Sequence, residues 1–371
     1  MALTSQIVQV SATVTTAPTV STLQQSGCFV SVGGTTQSTG TYAFYSTQAG
    51  LLAALSATGN FAELTKMGAT FFAQNLNIGV YVLELGAQGS VSAGITALTT
   101  WIAANLVPQV FYAYLVPATW DTTTSSNLNT LAALYSSTTS KTYFFITTTS
   151  ANISSYLATT KSAVCVVNSP TAASTEFQAA APFAAFLANN PQIASPAAPM
   201  NFRFLSGVTP WAYITTGGTS NVSTINSILT SYGNLILSGA EGGISTATLR
   251  NGTTMDGNQL MFWYAVDWIL IQAQIRLANA IINGSNSNPP LYYNQFGINQ
   301  LLGVLDDMGS TGVSYGLLLS ATFTATSFAA YTAANPSNYA AGIYDGFSCV
   351  ATPQLGFTQI EFFLNATTFT H

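Results

Sequence analysis

The sequence predicts an α/β to α+β protein with a βαβ-rich body, a long buried helix and extended β-strand arms at both ends. Three observations predict it. Short apolar runs alternate with helix-length segments between 77 and 167, a helical apolar stripe runs through 256–283, and both ends of the chain alternate apolar with polar residues.

Residues 6–16, QIVQVSATVTT, put Val8, Val10, Ala12 and Val14 on one side and Gln9, Ser11 and Thr13 on the other. That is the period of a strand with one apolar face. It carries no charge, no proline before Pro18 and no turn signal to fold it back as a hairpin. A bare strand of this kind tends to complete another sheet. The opening MALTSQIVQVSATVTT has no basic n-region and no continuous apolar stretch, so no secretory signal is expected.

FVSVGGTTQSTG (29–40) reads as a short strand opening into a Gly-rich loop, and 42–56 and 60–75 read as helices separated by Gly59. Strands are expected at 77–86, 109–117, 142–149 and 162–167, with helices at 92–106, 125–137 and 153–161 between them. One helix between successive strands implies βαβ units and a largely parallel sheet. Pro170, Pro182, Pro191, Pro196 and Pro199 then break the pattern around a short Ala-rich helix near 174–188. Beyond them a helix is expected at 221–231 and a strand at NLILSG.

The 256–283 run places Met261, Tyr264, Trp268, Ile271, Ile275, Ala278 and Ile282 at three-and-four spacing. Asp256 is the expected N-cap, and Gly284, Pro289 and Pro290 the expected stop. Asp256, Asp267 and Arg276 interrupt it, so no uncharged run approaches the ~20 residues of a membrane span. A helix buried on most of its sides is therefore expected. Asp267 and Arg276 are too far apart for an i,i+4 pair. If buried, each is expected to form an ion pair between elements or across a subunit interface. After a helix at 296–310, strands are expected at 313–320 and 344–351, flanking a loose Ala/Thr segment. The closing stretch 359–370 alternates again, with Ile360, Phe362, Leu364 and Ala366 on one side. The organisation is thus a β-arm at 1–25, an α/β body at 26–200, a second α+β region at 201–356 and a β-arm at 357–371.

Composition narrows the function classes. The 371 residues carry 6 Lys+Arg and 11 Asp+Glu, or 5% charged against a typical ~25%. A net charge of −5 gives no basic footprint for nucleic acid. Low charge makes a free monomer poorly soluble, so the surface should be hidden against other subunits or wetted by Ser and Thr. Cys28, Cys165 and Cys349 are too scattered for a metal-binding pair, and Cys165 within AVCVV reads as a small core residue.

Catalysis finds no support. The one histidine is His371, which leaves an acyl-transfer triad without a base and a zinc site without ligands. Asp306 and Asp307 are adjacent on a helix and point about 100° apart, as a solvated face would. GAQGSVSAG (86–94) sits between a strand and a helix, but it matches neither GxGxxG nor a GK[ST] loop. No enzyme activity, cofactor or metal is expected.

Several ordered stretches resemble the tail sheath proteins of contractile bacteriophages, in the branch long filed as a phage family of unknown function. They are TYAFYSTQAGLLAALS with AELTKMGATFFAQNLNIGVYVLELGA, then YAYLVPATW, then EFQAAAPFAAFLANNPQIASPAAPMNFRFLSGVTP. RNGTTMDGNQLMFWYAVDWILIQAQIRLANAIING, LYYNQFGINQLLGVLDDM, AAGIYDGFSCVA and QIEFFLNATTFT follow in the family's order. These are packing patterns rather than catalytic signatures. The middle of this chain, Lys141 and Lys161 aside, is nearly bare of the charges such sheaths carry.

The resemblance implies a structural subunit of stacked hexameric rings around a tail tube, contracting to drive the tube through the host envelope. It implies inter-subunit strand arms, here Val8, Val10 and Val14 at one end and Ile360, Phe362 and Leu364 at the other. Its partners would be other sheath subunits, the tail tube protein, and the baseplate and tail terminator proteins. The location would be the virion, in the phage tail, after assembly in the host bacterial cytoplasm. Another non-enzymatic assembly subunit (tail tube, surface-layer or adhesin-like) is the rival, although those show an all-β pattern.

Overall fold

The computed structural model describes residues 20–358, apart from 123–125, 138, 157, 159, 215–218 and 239–245. Both expected arm strands, with Val8, Val10, Val14, Ile360, Phe362 and Leu364, lie outside the described residues, as does His371.

An eight-stranded sheet forms the body. Its strands are β1 (Gly27–Ser31), β2 (Tyr42–Tyr45), β3 (Val80–Glu84), β4 (Ala113–Leu115), β5 (Tyr143–Thr148), β6 (Ala163–Val167), β7 (Asn234–Leu237) and β8 (Thr248–Arg250). The spatial order is β2-β3-β1-β4-β5-β6-β7-β8, with the six inner strands parallel and the two outermost antiparallel to their neighbours. The helices α1 (Gln48–Ala53), α2 (Phe61–Phe72), α3 (Val91–Ala104), α4 (Ser126–Ala132), α5 (Ala180–Leu187) and α6 (Val222–Thr230) connect them.

Parallel strands covered on both faces must be apolar on both, and β1, β5 and β6 are buried at every position. Alternate residues serve opposite layers. Phe29, Leu115, Tyr143, Phe145, Val164 and Val166 pack with α2 and α5, while Val30, Tyr114, Phe144, Ile146 and Cys165 pack with α3, α4 and α6. β7 and β8 extend this sheet beyond residue 200, so the expected boundary there does not separate two sheets.

The C-terminal lobe starts from the long helix α7 (Leu260–Ser285) and continues through α8 (Gln295–Ser314), β9 (Leu318–Ala325), α9 (Phe328–Ala334), α10 (Pro336–Ala340) and β10 (Phe347–Pro353). β9 and β10 pair antiparallel as a separate two-stranded sheet. Two helical glycines bring β9 onto α8. A Cβ at Gly312 would stand 2.7 Å from Leu318 and 3.0 Å from Trp268, and one at Gly309 would stand 2.9 Å from Phe323.

Several expectations need correction. Tyr42–Tyr45 is an edge strand, not helix: its aromatic residues suit a pleated edge, and the helix begins only after Thr47 accepts from Gly50 N. Of the helix expected at 153–161, a 3-10 turn at Ile153–Ser155 forms. Asp256 does not cap α7. Its carboxylate closes a local turn instead, accepting from Thr254 Oγ1, Asn258 N, Asn258 Nδ2 and Trp263 Nε1, and the helix starts after Gln259. Gly284 lies inside the last turn, packed against Leu291. Helix α8 runs on through 313–314, so β9 starts later than expected, and the segment read as loose carries α9 and α10.

Burial of α7 is also uneven. Leu260, Met261, Tyr264, Ala265, Asp267, Trp268 and Ile271 are buried, whereas Ile281 and Ile282 stand 47% and 61% exposed. The first half is a core helix. The second half is more exposed, and its apolar stripe faces Leu291, Ile298 and Leu301, Tyr344 before β10 and Phe347 on β10.

Candidate functional site

In a chain with this composition the functional candidates are surfaces, and the interior determines which surfaces are free. Two anionic sites could have suggested ligand chemistry. Both are filled by the chain itself.

The first lies at the carboxyl ends of β1 and β3, beside the point where strand order reverses, which is the usual ligand crevice of an open α/β sheet. The Gly-rich loop after β1 and the turn at Gly86 form a cradle of N–H groups, with Gly33 at φ 79 and Gly86 at φ 74. Its occupant is Glu84, 1% exposed. One carboxylate oxygen accepts from Gly33 N at 2.7 Å and Gly86 N at 2.6 Å. The other accepts from Ser31 Oγ at 2.6 Å, Thr35 Oγ1 at 2.7 Å and Thr35 N at 3.1 Å. Next to it, the start of α3 is capped by Ser90, which accepts from Ala93 N. The donors a phosphate would use are thus already taken.

The second is Asp267, which is fully buried on the inner side of α7. Tyr112 and Tyr143, from or beside β4 and β5, donate to its Oδ2 at 2.8 Å each, and Tyr135 donates to Oδ1 at 2.9 Å. Burial pushes this carboxyl up to about 6, against the opposing pull of the three phenols and of Lys141. Burial likewise pulls the Lys141 ammonium down. Three neutral donors therefore satisfy the carboxylate and tie α7 to the sheet. Arg276, by contrast, crosses to α8 and pairs with Asp307 at 2.8 Å within the same subunit. Asp267 and Arg276 are not brought together. Among the described residues no group of three or more His, Cys, Asp or Glu could hold a metal ion.

What remains open is the C-terminal lobe. Among the described residues, β9 and β10 have no third strand beside them. Leu319 on β9 and Val350 on β10 are 63% and 77% exposed, and Leu355 and Phe357 just beyond are 51% and 75% exposed. At the far end of α7, a groove of about 280 Å³ is lined by Leu277, Ile281, Leu291, Ile298, Leu301 and Phe347. Sequence reasoning located both lobe strands approximately but not their isolation as a two-stranded sheet. It missed the tyrosine cage altogether, because nothing in the spacing of Tyr112, Tyr135 and Tyr143 marks a common target.

Gln24 Nε2, in the 3-10 turn Val20–Gln25, donates to Tyr264 O at 3.0 Å. Gly356 exchanges two hydrogen bonds with Gln259 at the start of α7. Gln24 and Gly356, near the two ends of the described chain, are thus both bonded to the start of α7 or the residue before it.

No protein-family model matches the sequence, and no curated protein matches it. Solved structures do match in three dimensions. A chain of the anti-feeding prophage baseplate, 6-fold symmetrised, superposes with a TM-score of 0.65 over 93% of this chain and 94% of that one, at 10% identity. The chain has the fold of an anti-feeding-prophage particle subunit. A chain from that baseplate in its contracted state covers 99% of both at TM-score 0.52 and 13% identity. One from the helical sheath in the contracted state covers 93% of both at 0.55 and 11%. The shared particle fold spans body and lobe alike, so the lobe is part of the fold rather than an appendage.

Proposed function

We propose that this chain is a structural, non-enzymatic subunit of a contractile tail sheath, stacking as hexameric rings around a tail tube. Its terminal arms add strands to neighbouring subunits, and contraction drives the tube through the host envelope. The observation that carries this reading is the β9–β10 sheet, which among the described residues has two strands and no strand beside either outer edge. Two strands alone are marginal in water; packing on α8 supports this pair, and its edges can still take a further strand. The sequence supplies two uncharged or nearly uncharged alternating strands, with Val8, Val10 and Val14 on one and Ile360, Phe362 and Leu364 on the other. Strand addition by a neighbour's arm is the recognised way to complete such an edge, and a heterologous contact that does not close on itself builds a helical array. The fold likeness to chains of a contracted sheath and a baseplate supports the same reading. Asp267, expected in an ion pair, is instead held by three tyrosines that tie α7 to the sheet, while Arg276 forms an ion pair between elements, joining α7 to Asp307 on α8.

The test is deletion of residues 1–16. The truncated chain should keep its circular dichroism and melting profile yet form no tubes by electron microscopy, while the full chain does. Normal tubes from the truncated chain would refute the proposal. A second reading, a baseplate subunit, is favoured by the TM-score of 0.65 to a baseplate chain. It predicts closed rings that do not stack.

A further inference from the structure

The cage around Asp267 has two unlike ends. Oδ2 accepts from Tyr112 and Tyr143, both fully buried, at 2.8 Å each. Oδ1 accepts at 2.9 Å from Tyr135, which is half-buried in the segment that follows α4. The Tyr135 ring meets those of Tyr143 and Trp263 at 5.7 Å and 5.9 Å between centroids. Tyr112 is committed further: its hydroxyl also accepts from Gln24 Nε2 at 3.4 Å, so its one proton goes to the carboxylate.

The ionisable groups acting on Asp267 are these three phenols and the Lys141 ammonium ahead of β5. Tyr264, on the same helix, acts on Tyr112, and Asp256, in the turn before α7, acts on Tyr135. Lys161 lies over the Trp263 ring. The 3-10 turn Val20–Gln25 and α5 pack here with no ionisable side chain. On the rest of α7, α8 and β10 bring Asp306, Asp307 and Cys349; Asp307 is engaged with Arg276, and Tyr315 after α8 meets Trp268.

A neutral carboxylic acid has one hydroxyl that donates and one carbonyl oxygen that accepts well. Oδ2 receives two buried phenol protons, so it is the oxygen that remains carbonyl. An added proton therefore goes to Oδ1, and Tyr135 then accepts where it had donated. Tyr112 and Tyr143 are shut off from solvent, whereas Tyr135 reaches it and has somewhere to turn its own proton.

We propose that Tyr135 is the port through which Asp267 exchanges its proton, and that the hydrogen bond between them reverses direction when it does. The device sits where the sheet meets the helix that opens the C-terminal lobe. Burial raises the carboxyl far enough that this joint is charged above about pH 6 and neutral below it. It belongs to a single subunit and does not depend on rings or tubes forming.

Infrared spectroscopy of the full chain tests the port. It reads both the carbonyl band of a protonated buried carboxyl and the tyrosine C–O band, which differs between donating and accepting hydroxyls. The chain, carrying ring-labelled tyrosine, is titrated from about pH 8 to about pH 5. Wild type should gain the carboxyl band while one tyrosine band moves from the donor to the acceptor position, and D267N should show neither. Y112F should keep the tyrosine shift and Y135F should lose it. Both should raise the midpoint of the carboxyl band by about one pH unit, since each removes a donor that favours the charged form. The label placed at position 135 alone, with no substitution, should carry the whole shift. A shift that persists in Y135F or is missing from the label at 135, or a Y135F midpoint equal to wild type, would overturn the proposal.

Discussion

Asp267→Asn should make the protein's stability respond differently to pH, and the sign follows from the cage. The carboxyl is raised from its ordinary 3.8 to about 6, because burial outweighs three phenol donors. The native state therefore holds a proton that the unfolded chain has lost between those values. Stability from this proton is fully present below the unfolded value and is lost as pH rises through the folded one. At 1.36 kcal/mol per pH unit the displacement corresponds to about 3 kcal/mol. Asparagine is nearly isosteric and does not titrate. The difference in unfolding free energy, wild type minus D267N, should thus fall by about 3 kcal/mol between about pH 3.5 and about pH 7.5. Urea titrations followed by tryptophan fluorescence would read it, since Trp263 and Trp268 sit on the same helix. A difference that stays level or grows with pH would show that the tyrosines win over desolvation, and would refute the argument. Asp267→Leu is a harsher variant: it strands the hydroxyls of Tyr112 and Tyr143 in the core, at a cost of about 2–5 kcal/mol at any pH.

Other expectations follow from single contacts. Gly312→Val should lower stability by about 1–3 kcal/mol in thermal unfolding, because Leu318 and Trp268 leave no room for a side chain. Glu84→Gln should cost about 2–3 kcal/mol by denaturant titration, since an amide turns a donor toward N–H groups that need an acceptor. Titration calorimetry of the wild type with nucleotide should be silent, the cradle being filled by Glu84. Ile282→Lys, at a 61% exposed position, should shift unfolding by no more than about 0.5 kcal/mol yet suppress polymers in sedimentation.

Much of the body was legible because its chemistry is local. The βαβ alternation from Val80 to Val167 could be read from strand-length apolar runs separated by helix-length segments. The long helix could be read from its stripe, but its cap could not. Asp256 had three donors in its own turn and a fourth, Trp263 Nε1, on the helix, and the turn donors compete with the helix N–H groups for the same oxygens. Tyr42–Tyr45 shows the same limit: aromatic residues before a helix-forming run suit either structure, and pairing with β3 decides.

By itself, then, the amino-acid sequence determined the fold class, the scarcity of charge, the placing of its one histidine at His371, and alternating stretches at both ends. All of these depend on residue type and short-range period. Only the tertiary structure decided that Asp267 is held by three tyrosines from remote elements, that Glu84 fills the Gly-rich cradle, and that β9 and β10 have no third strand beside them among the described residues. The physical reason is common to the three. Whether a polar group or strand edge is satisfied depends on what the folded chain brings beside it, and residues far apart in sequence leave no periodic trace of that meeting.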